Sequence, residues 1–88
     1  MGKKLKISAV VLVGGEYDRA LLRKCLDSLW WTDEIVKVNT REVKGGFADY
    51  RNAGARRAKG KWLLYVDTDE RVSPELKKVI LQVTGSDE

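Results

Sequence analysis

Asp67, Thr68, Asp69 and Glu70 place three carboxylates within four residues, where the apolar run "KWLLYV" ends and just ahead of a helix start at Ser73. Asp67 and Asp69 stand two apart on a segment where strand gives way to loop, so one bend aims both side chains into one crevice. Oxygen pairs of this kind suit hard divalent cations. Magnesium or manganese takes one or two carboxylates and completes its shell with water and phosphate oxygens. The same letters also describe a loop acid followed by an acid near a helix N-terminus, where the helix dipole favours negative charge. An Asp-x-Asp pair alone does not separate these readings.

Cations that could answer a phosphate are present. The formal charge is +4, with basic residues at Lys3, Lys4 and Lys6, at Arg41 and Lys44, and through residues 51–61. That balance favours anionic partners, whether phosphates, nucleic acid or an acidic membrane surface, and does not choose among them. A guanidinium at Arg51 can pair bidentately with a phosphate; it equally fits a solvated helix arginine. Glu70 and Arg71 fit either partners hydrogen-bonded around the acidic turn or a surface ion pair.

The elements that position these groups are legible from periodicity. "KISAVVLV", residues 6–13, is the continuous apolar run of a strand buried on both faces in a parallel sheet, broken by Gly14 and Gly15. Residues 17–30 carry Leu21, Leu22, Cys25, Leu26 and Leu29 at helical spacing. "EIVKVNT", residues 34–40, reads as a second strand and "REVKGG" as a polar connection. Residues 47–59 read as a helix whose alanines allow close approach to a sheet. Gly54 weakens that helix by about 1 kcal/mol relative to alanine, and Gly60 is expected to cap it. Residues 61–67 form the third strand. Ser73, Pro74 and Glu75 then supply an N-cap, a first-turn proline and a first-turn acid for a last helix, whose buried stripe is Leu76, Val79, Ile80 and Val83, with Gly85 closing it.

The order βαβαβα in 88 residues predicts a single α/β domain over 1–88, three-layered and Rossmann-like. Its small parallel sheet takes strand order 2-1-3, with right-handed crossovers. Ligands in such sheets sit beyond the carboxyl ends of the strands, the edge that holds Gly14, Asn39 and Asp67. The composition, 43% hydrophobic and 34% charged, is that of an ordered, soluble chain. The run from Ile7 to Val13 is β-branched and far below the roughly 20 residues of a membrane span, so it reads as a strand, with no transmembrane segment expected. Cys25 is the one cysteine, which excludes an internal disulfide and fits a cytoplasmic setting. Its place on an apolar helix face, like that of Trp30, Trp31 and Trp62 at element ends, is read as packing.

The stretch "GFADYRNAGARRAKGKWLLYVDTDERVSPEL", residues 46–76, closely resembles the middle of the family 2 glycosyltransferases with a GT-A fold. It is nearest to the branch of bacterial lipopolysaccharide-core enzymes, whose pattern runs Gly-Phe-Ala-x-x-Arg-Asn, a small-residue helix, Gly-x-Trp and a strand ending in Asp-Ala-Asp-Glu-Arg-Val. "KISAVVLV" and "LLRKCLDSLWWTDEIVKV" resemble the same family in order and character. The resemblance implies a nucleotide-sugar donor and a divalent cation, Mg or Mn, bridging the donor diphosphate to Asp67 and Asp69, with Asp69 the direct ligand. It implies further that Arg51 and Asn52 lie near the donor nucleotide.

The chain departs from the family pattern in three places. After the first strand the family's polar pair is replaced by Gly14, Gly15 and Glu16, which leaves backbone approach and Glu16 to contact the nucleotide. After the second strand the acidic base-recognition segment, with the helix and strand that follow it, is missing, and Asn39 stands as its substitute. The family pattern also continues past the last helix into an acceptor half that supplies the catalytic base; no residue here is assigned that role, and the chain has no histidine. The leading expectation is therefore a glycosyltransferase-like donor domain, incomplete for catalysis alone. The alternative is a shortened or engineered binding or scaffold domain without turnover. Nucleic-acid binding by the basic face lacks a stacking platform, and an uncovered sheet edge favours self-association.

Overall fold

The computed structural model describes residues 6–14 and 18–85. Strand β1 (Ile7–Val13) is followed by helix α1 (Arg19–Asp27), strand β2 (Glu34–Asn39), a 3-10 turn (Thr40–Glu42), helix α2 (Phe47–Arg57), strand β3 (Trp62–Asp67) and helix α3 (Pro74–Thr84). The three strands form one parallel sheet in the order β2-β1-β3, the expected topology.

Every residue of β1 is buried, because the central strand is covered on both faces. On one face Ala9, Val11 and Val13 meet Cys25 and Leu29 from the α1 side together with Val66 of β3. On the other, Val10 and Leu12 join Val36 and Val38 of β2 beneath Tyr50 and Ala53 of α2. The alternation of side chains along a strand thus divides the apolar run into two half-cores. Gly54 explains its own presence in α2: a Cβ there would overlap Val10 Cγ1 and stand 3.3 Å from Val38 Cγ2. The helix accepts a poor helix former so that its backbone can rest on the sheet.

Two expectations about helix ends are corrected. The first helix is shorter than residues 17–30; Asp18 is its N-cap, and it ends at Asp27. Beyond that point the chain passes into turns whose carbonyls accept from backbone and side chain together: Cys25 O accepts from Ser28 N at 3.1 Å and Ser28 Oγ at 2.7 Å, Leu29 O from Thr32 N at 3.0 Å and Thr32 Oγ1 at 2.7 Å, and Ser28 O from Trp31 Nε1 at 2.8 Å. Gly60 does not cap α2, which ends with extended Ala58. It is instead a close-approach site, where a Cβ would come within 2.5 Å of Ser8 Oγ and 2.7 Å of Ser8 N.

The last helix begins and ends as expected. Ser73 Oγ accepts from Leu76 N at 3.1 Å, and Gly85 takes a left-handed conformation with φ 69°. Its stripe, however, is largely uncovered: Leu76, Val79 and Val83 are exposed and Ile80 is half-buried, and no α3 residue joins either half-core. The covered sheet is only three strands wide and already carries a helix on each face, so little sheet surface is left for a third. Trp30, expected to pack, is 74% exposed, with Lys77 Nζ 4.6 Å from its ring centroid. Trp62 at the start of β3 is also exposed. Cys25 is fully buried, as its position on α1 implies.

A polar knot ties the base of the sheet. Ser8 is fully buried in β1; its Oγ donates to Glu34 Oε1 at 2.7 Å and accepts from Gly60 N at 2.8 Å. The same carboxylate oxygen accepts from Lys59 N at 2.8 Å. The Lys59 backbone bond first, and the Ser8 hydroxyl second, hold the Glu34 carboxyl below its ordinary value of 4.5. Ser8→Ala, which leaves the Gly60 N–H without its acceptor, is expected to cost about 1–3 kcal/mol in chemical denaturation. A carboxyl whose folded value is depressed contributes stability above its unfolded value and loses it as pH falls through the folded one. The stability gap between the parent and Glu34→Gln is therefore expected to close as pH drops below 4.5.

Candidate functional site

The acidic turn follows directly from the end of β3. Asp67 stands opposite Leu12 of β1 in the parallel register, so the polypeptide leaves the sheet at its carboxyl edge. Asp67 N–H donates to Glu70 Oε1 at 2.8 Å, and Glu70 N–H returns a bond to Asp67 O at 3.0 Å. Of its two sequence readings, Glu70 takes the one in which it closes the turn. Trp62 N–H donates inward to Lys6 O at 2.7 Å; by alternation along the strand, the Asp67 N–H points to the open edge of β3, where the Glu70 carboxylate satisfies it. Behind the turn Cys25 Sγ lies 3.5 Å from Asp67 O. The Asp67 backbone is thus held on two sides, while the Asp67 and Asp69 side chains are exposed.

These two acids border a cleft of about 480 Å³. Leu12 and Gly14 line it from the end of β1, and Asp67, Thr68 and Asp69 from the turn after β3. Phe47 and Tyr50 line it from α2, and Thr40, Leu21 and Asp18 complete the lining. Asp18 is committed as the α1 cap, its Oδ1 accepting from Ala20 N at 2.8 Å and Leu21 N at 3.3 Å. A second cleft, about 300 Å³, shares Leu12, Phe47 and Asp67 with the first and adds Arg51, Tyr65 and Glu70. The Arg51 guanidinium lies 5.4 Å from the Tyr65 ring centroid, and Tyr65 Oη donates to Arg51 O at 3.3 Å.

Of the residues singled out from the sequence, Gly14, Asp67 and Asp69 share the larger cleft and Arg51 adjoins it across Asp67. Asn52 is exposed on α2 and lines neither cleft. Asn39 caps the 3-10 turn, its Oδ1 accepting from Arg41 N at 3.0 Å. The neighbouring Thr40 reaches the cleft instead, held by its Oγ1 donating to Val13 O at 3.3 Å. Glu16 lies outside the described residues. Phe47 and Tyr50 were not singled out, although both stand in "GFADYRN"; their spacing of three puts them on one face of α2, a signal that was available.

Negative charge at the turn is felt behind it. Burial first, then the charges of Glu70, Asp67 and Asp69, push the Cys25 thiol above its ordinary value of 9.0. A thiol both buried and held protonated is a poor nucleophile. Iodoacetamide at neutral pH is expected to leave Cys25 unlabelled in the folded protein and to label it in urea, as read by mass spectrometry.

Among the described residues no group of three or more His, Cys, Asp or Glu side chains is gathered to hold a metal ion. The donor set is a pair of exposed carboxylates, which fits a hard cation that keeps waters and phosphate oxygens in its shell and does not fit an all-protein cage.

The family model for glycosyl transferase family 2 matches residues 8–87. The chain belongs to glycosyl transferase family 2. Its three-stranded parallel sheet with flanking helices is the α/β, Rossmann-like half of a GT-A fold. A relative described as an uncharacterized glycosyltransferase of Haemophilus influenzae is 46% identical over 48 residues, a segment that covers 54% of this chain and 16% of the relative. No solved structure matches. No helix among the described residues is long and apolar enough to cross a membrane.

Proposed function

We propose that this domain binds the diphosphate of a nucleotide-sugar donor through a magnesium or manganese ion held by Asp67 and Asp69. The observation that carries the reading is the shared cleft: both acids and Gly14 meet beyond the carboxyl ends of β1 and β3, in a chain of a glycosyltransferase family. A divalent ion bound there would offset the charge that develops on a departing diphosphate. The chain's own groups do the rest. Glu70 and the buried Cys25 side chain fix the Asp67 backbone, Gly14 lets the cleft approach a ligand without a side chain, and Arg51, which lines the adjoining cleft together with Asp67, supplies a cation for a phosphate oxygen. The two acids of the proposed site are open to solvent.

A second reading, donor binding without turnover, is favoured by how the local acids are used. Asp18 caps α1 and Glu70 closes the turn, so no further carboxylate of the cleft stands ready as a general base among the described residues. Donor hydrolysis that depends on Asp67 and Asp69 would overturn this second reading.

A residue-by-residue amide titration with a nucleoside diphosphate and magnesium tests the site itself. Shifts centred on Gly14, Thr68 and Asp69 are expected. Shifts confined to the basic outer face of α2 would displace the site to that surface.

A further inference from the structure

Two elements bring chemically different groups to the larger cleft, the turn after β3 and the first turn of α2. One carries Asp67 and Asp69; the other carries Phe47 and Tyr50. Phe47 is the first residue of α2 and is 71% exposed, so it serves neither half-core. Its ring is nevertheless held: it stands edge-on to Tyr50 with centroids 6.1 Å apart and planes at 72°, and Tyr50 is itself packed against the β2-side core. Phe47 also borders the second cleft, so it forms the lip between the two. A large phenyl group exposed to water beside a polar cleft offers a face for stacking.

We infer that Phe47, backed by Tyr50, is the platform for the nucleobase of the donor. The inference rests on the donor reading above and adds the division of the ligand between the two elements. A nucleoside diphosphate has a charged end and a flat aromatic end, and the cleft offers oxygen ligands for a cation on one side and an uncharged aromatic face on the other. No lysine or arginine lines the larger cleft among the described residues, so the base end is held by stacking and burial and not by charge. Stacking of this type tolerates different bases, since each presents a π face. The platform therefore sets affinity for a nucleoside over a bare diphosphate without selecting one base.

The experiment compares uridine diphosphate, guanosine diphosphate and inorganic pyrophosphate in saturating manganese, for the parent chain, Phe47→Ala and Phe47→Trp. The expected result is that both nucleotides bind the parent more tightly than pyrophosphate, that Phe47→Ala lowers nucleotide affinity about tenfold while leaving pyrophosphate unchanged, and that Phe47→Trp restores it. An unchanged ratio of nucleotide to pyrophosphate affinity in Phe47→Ala, or an equal loss for both, would overturn the platform. Absence of manganese-dependent pyrophosphate binding, with Phe47-dependent nucleotide binding intact, would overturn the metal–diphosphate reading and keep the platform. Because Phe47 is exposed, its truncation leaves both half-cores untouched.

Discussion

Asp69→Ala is expected to abolish the coupling between manganese and nucleoside diphosphate binding. The Asp69 carboxylate is exposed in the cleft lining, so its removal leaves both half-cores and the Asp67–Glu70 turn bonds in place. Thermal stability should stay within about 0.5 kcal/mol of the parent, as for surface substitutions in general. Affinity should not: loss of one of two protein oxygens removes much of the cation's hold, and interactions of a bound cation with phosphoryl oxygen are worth several kcal/mol. A loss of at least about 2 kcal/mol, roughly thirtyfold, is expected when affinity is measured by calorimetry in the presence of the metal. Without metal the parent and the variant should bind alike. Asp67→Asn is expected to act in the same direction, since the amide keeps the shape of the side chain while removing its charge.

Gly54→Leu is expected to have the largest effect on folding. Even a Cβ at this position overlaps Val10 Cγ1, and both Val10 and Val38 are buried members of the half-core under α2. A full leucine would lever α2 off the sheet. Overpacking costs about 1–3 kcal/mol and occasionally more, while a domain of this size is stable by roughly 4–13 kcal/mol. A loss near 3 kcal/mol should lower Tm by about 15 °C, read by circular dichroism. The gain in helix propensity, about 1 kcal/mol, works against the loss and does not cancel it. An unchanged Tm would mean that α2 does not rest on the sheet through Gly54.

The same glycine shows what a sequence conveys and what it withholds. Sequence pattern identified the three strands and three α-helices of the described residues and their order, because a strand covered on both faces has to be apolar throughout and a helix shows either an apolar stripe or a run of small residues where it meets a sheet; the 3-10 turn at Thr40–Glu42 had no such signal. Gly54 counted against α2 on propensity, yet the contact it makes with Val10 is tertiary and has no local signature. Gly60 followed the rule for a helix end, whereas its lack of a side chain serves the approach to Ser8 in β1, a residue 52 positions away. The stripe of α3 was legible as a stripe but not as exposed, since exposure depends on how much sheet remains for a helix to cover.

The placement of the candidate residues was legible to a similar depth. Asp67 and Asp69, read as paired oxygens at a strand end, and Gly14, read from its place on the same edge, do line one cleft. Arg51 lines the adjoining cleft, over Tyr65, a position that depends on the packing of α2 beside β3. Thr40 in place of Asn39 turns on a single 3-10 turn that diverts the Asn39 side chain to Arg41 N–H. Phe47 and Tyr50 stand three apart, a spacing that puts them on one face of α2, while their place beside the acidic turn depends on how α2 packs on the sheet.

Calorimetric titration of the parent chain with a nucleoside diphosphate, with and without manganese, is the most direct test of a metal-bridged donor site at Asp67 and Asp69. Binding that requires the metal, and a metal affinity raised in turn by the nucleotide as linkage demands, is the expected result. Nucleotide binding equally tight in the presence of a chelator, or no binding under either condition, would contradict it.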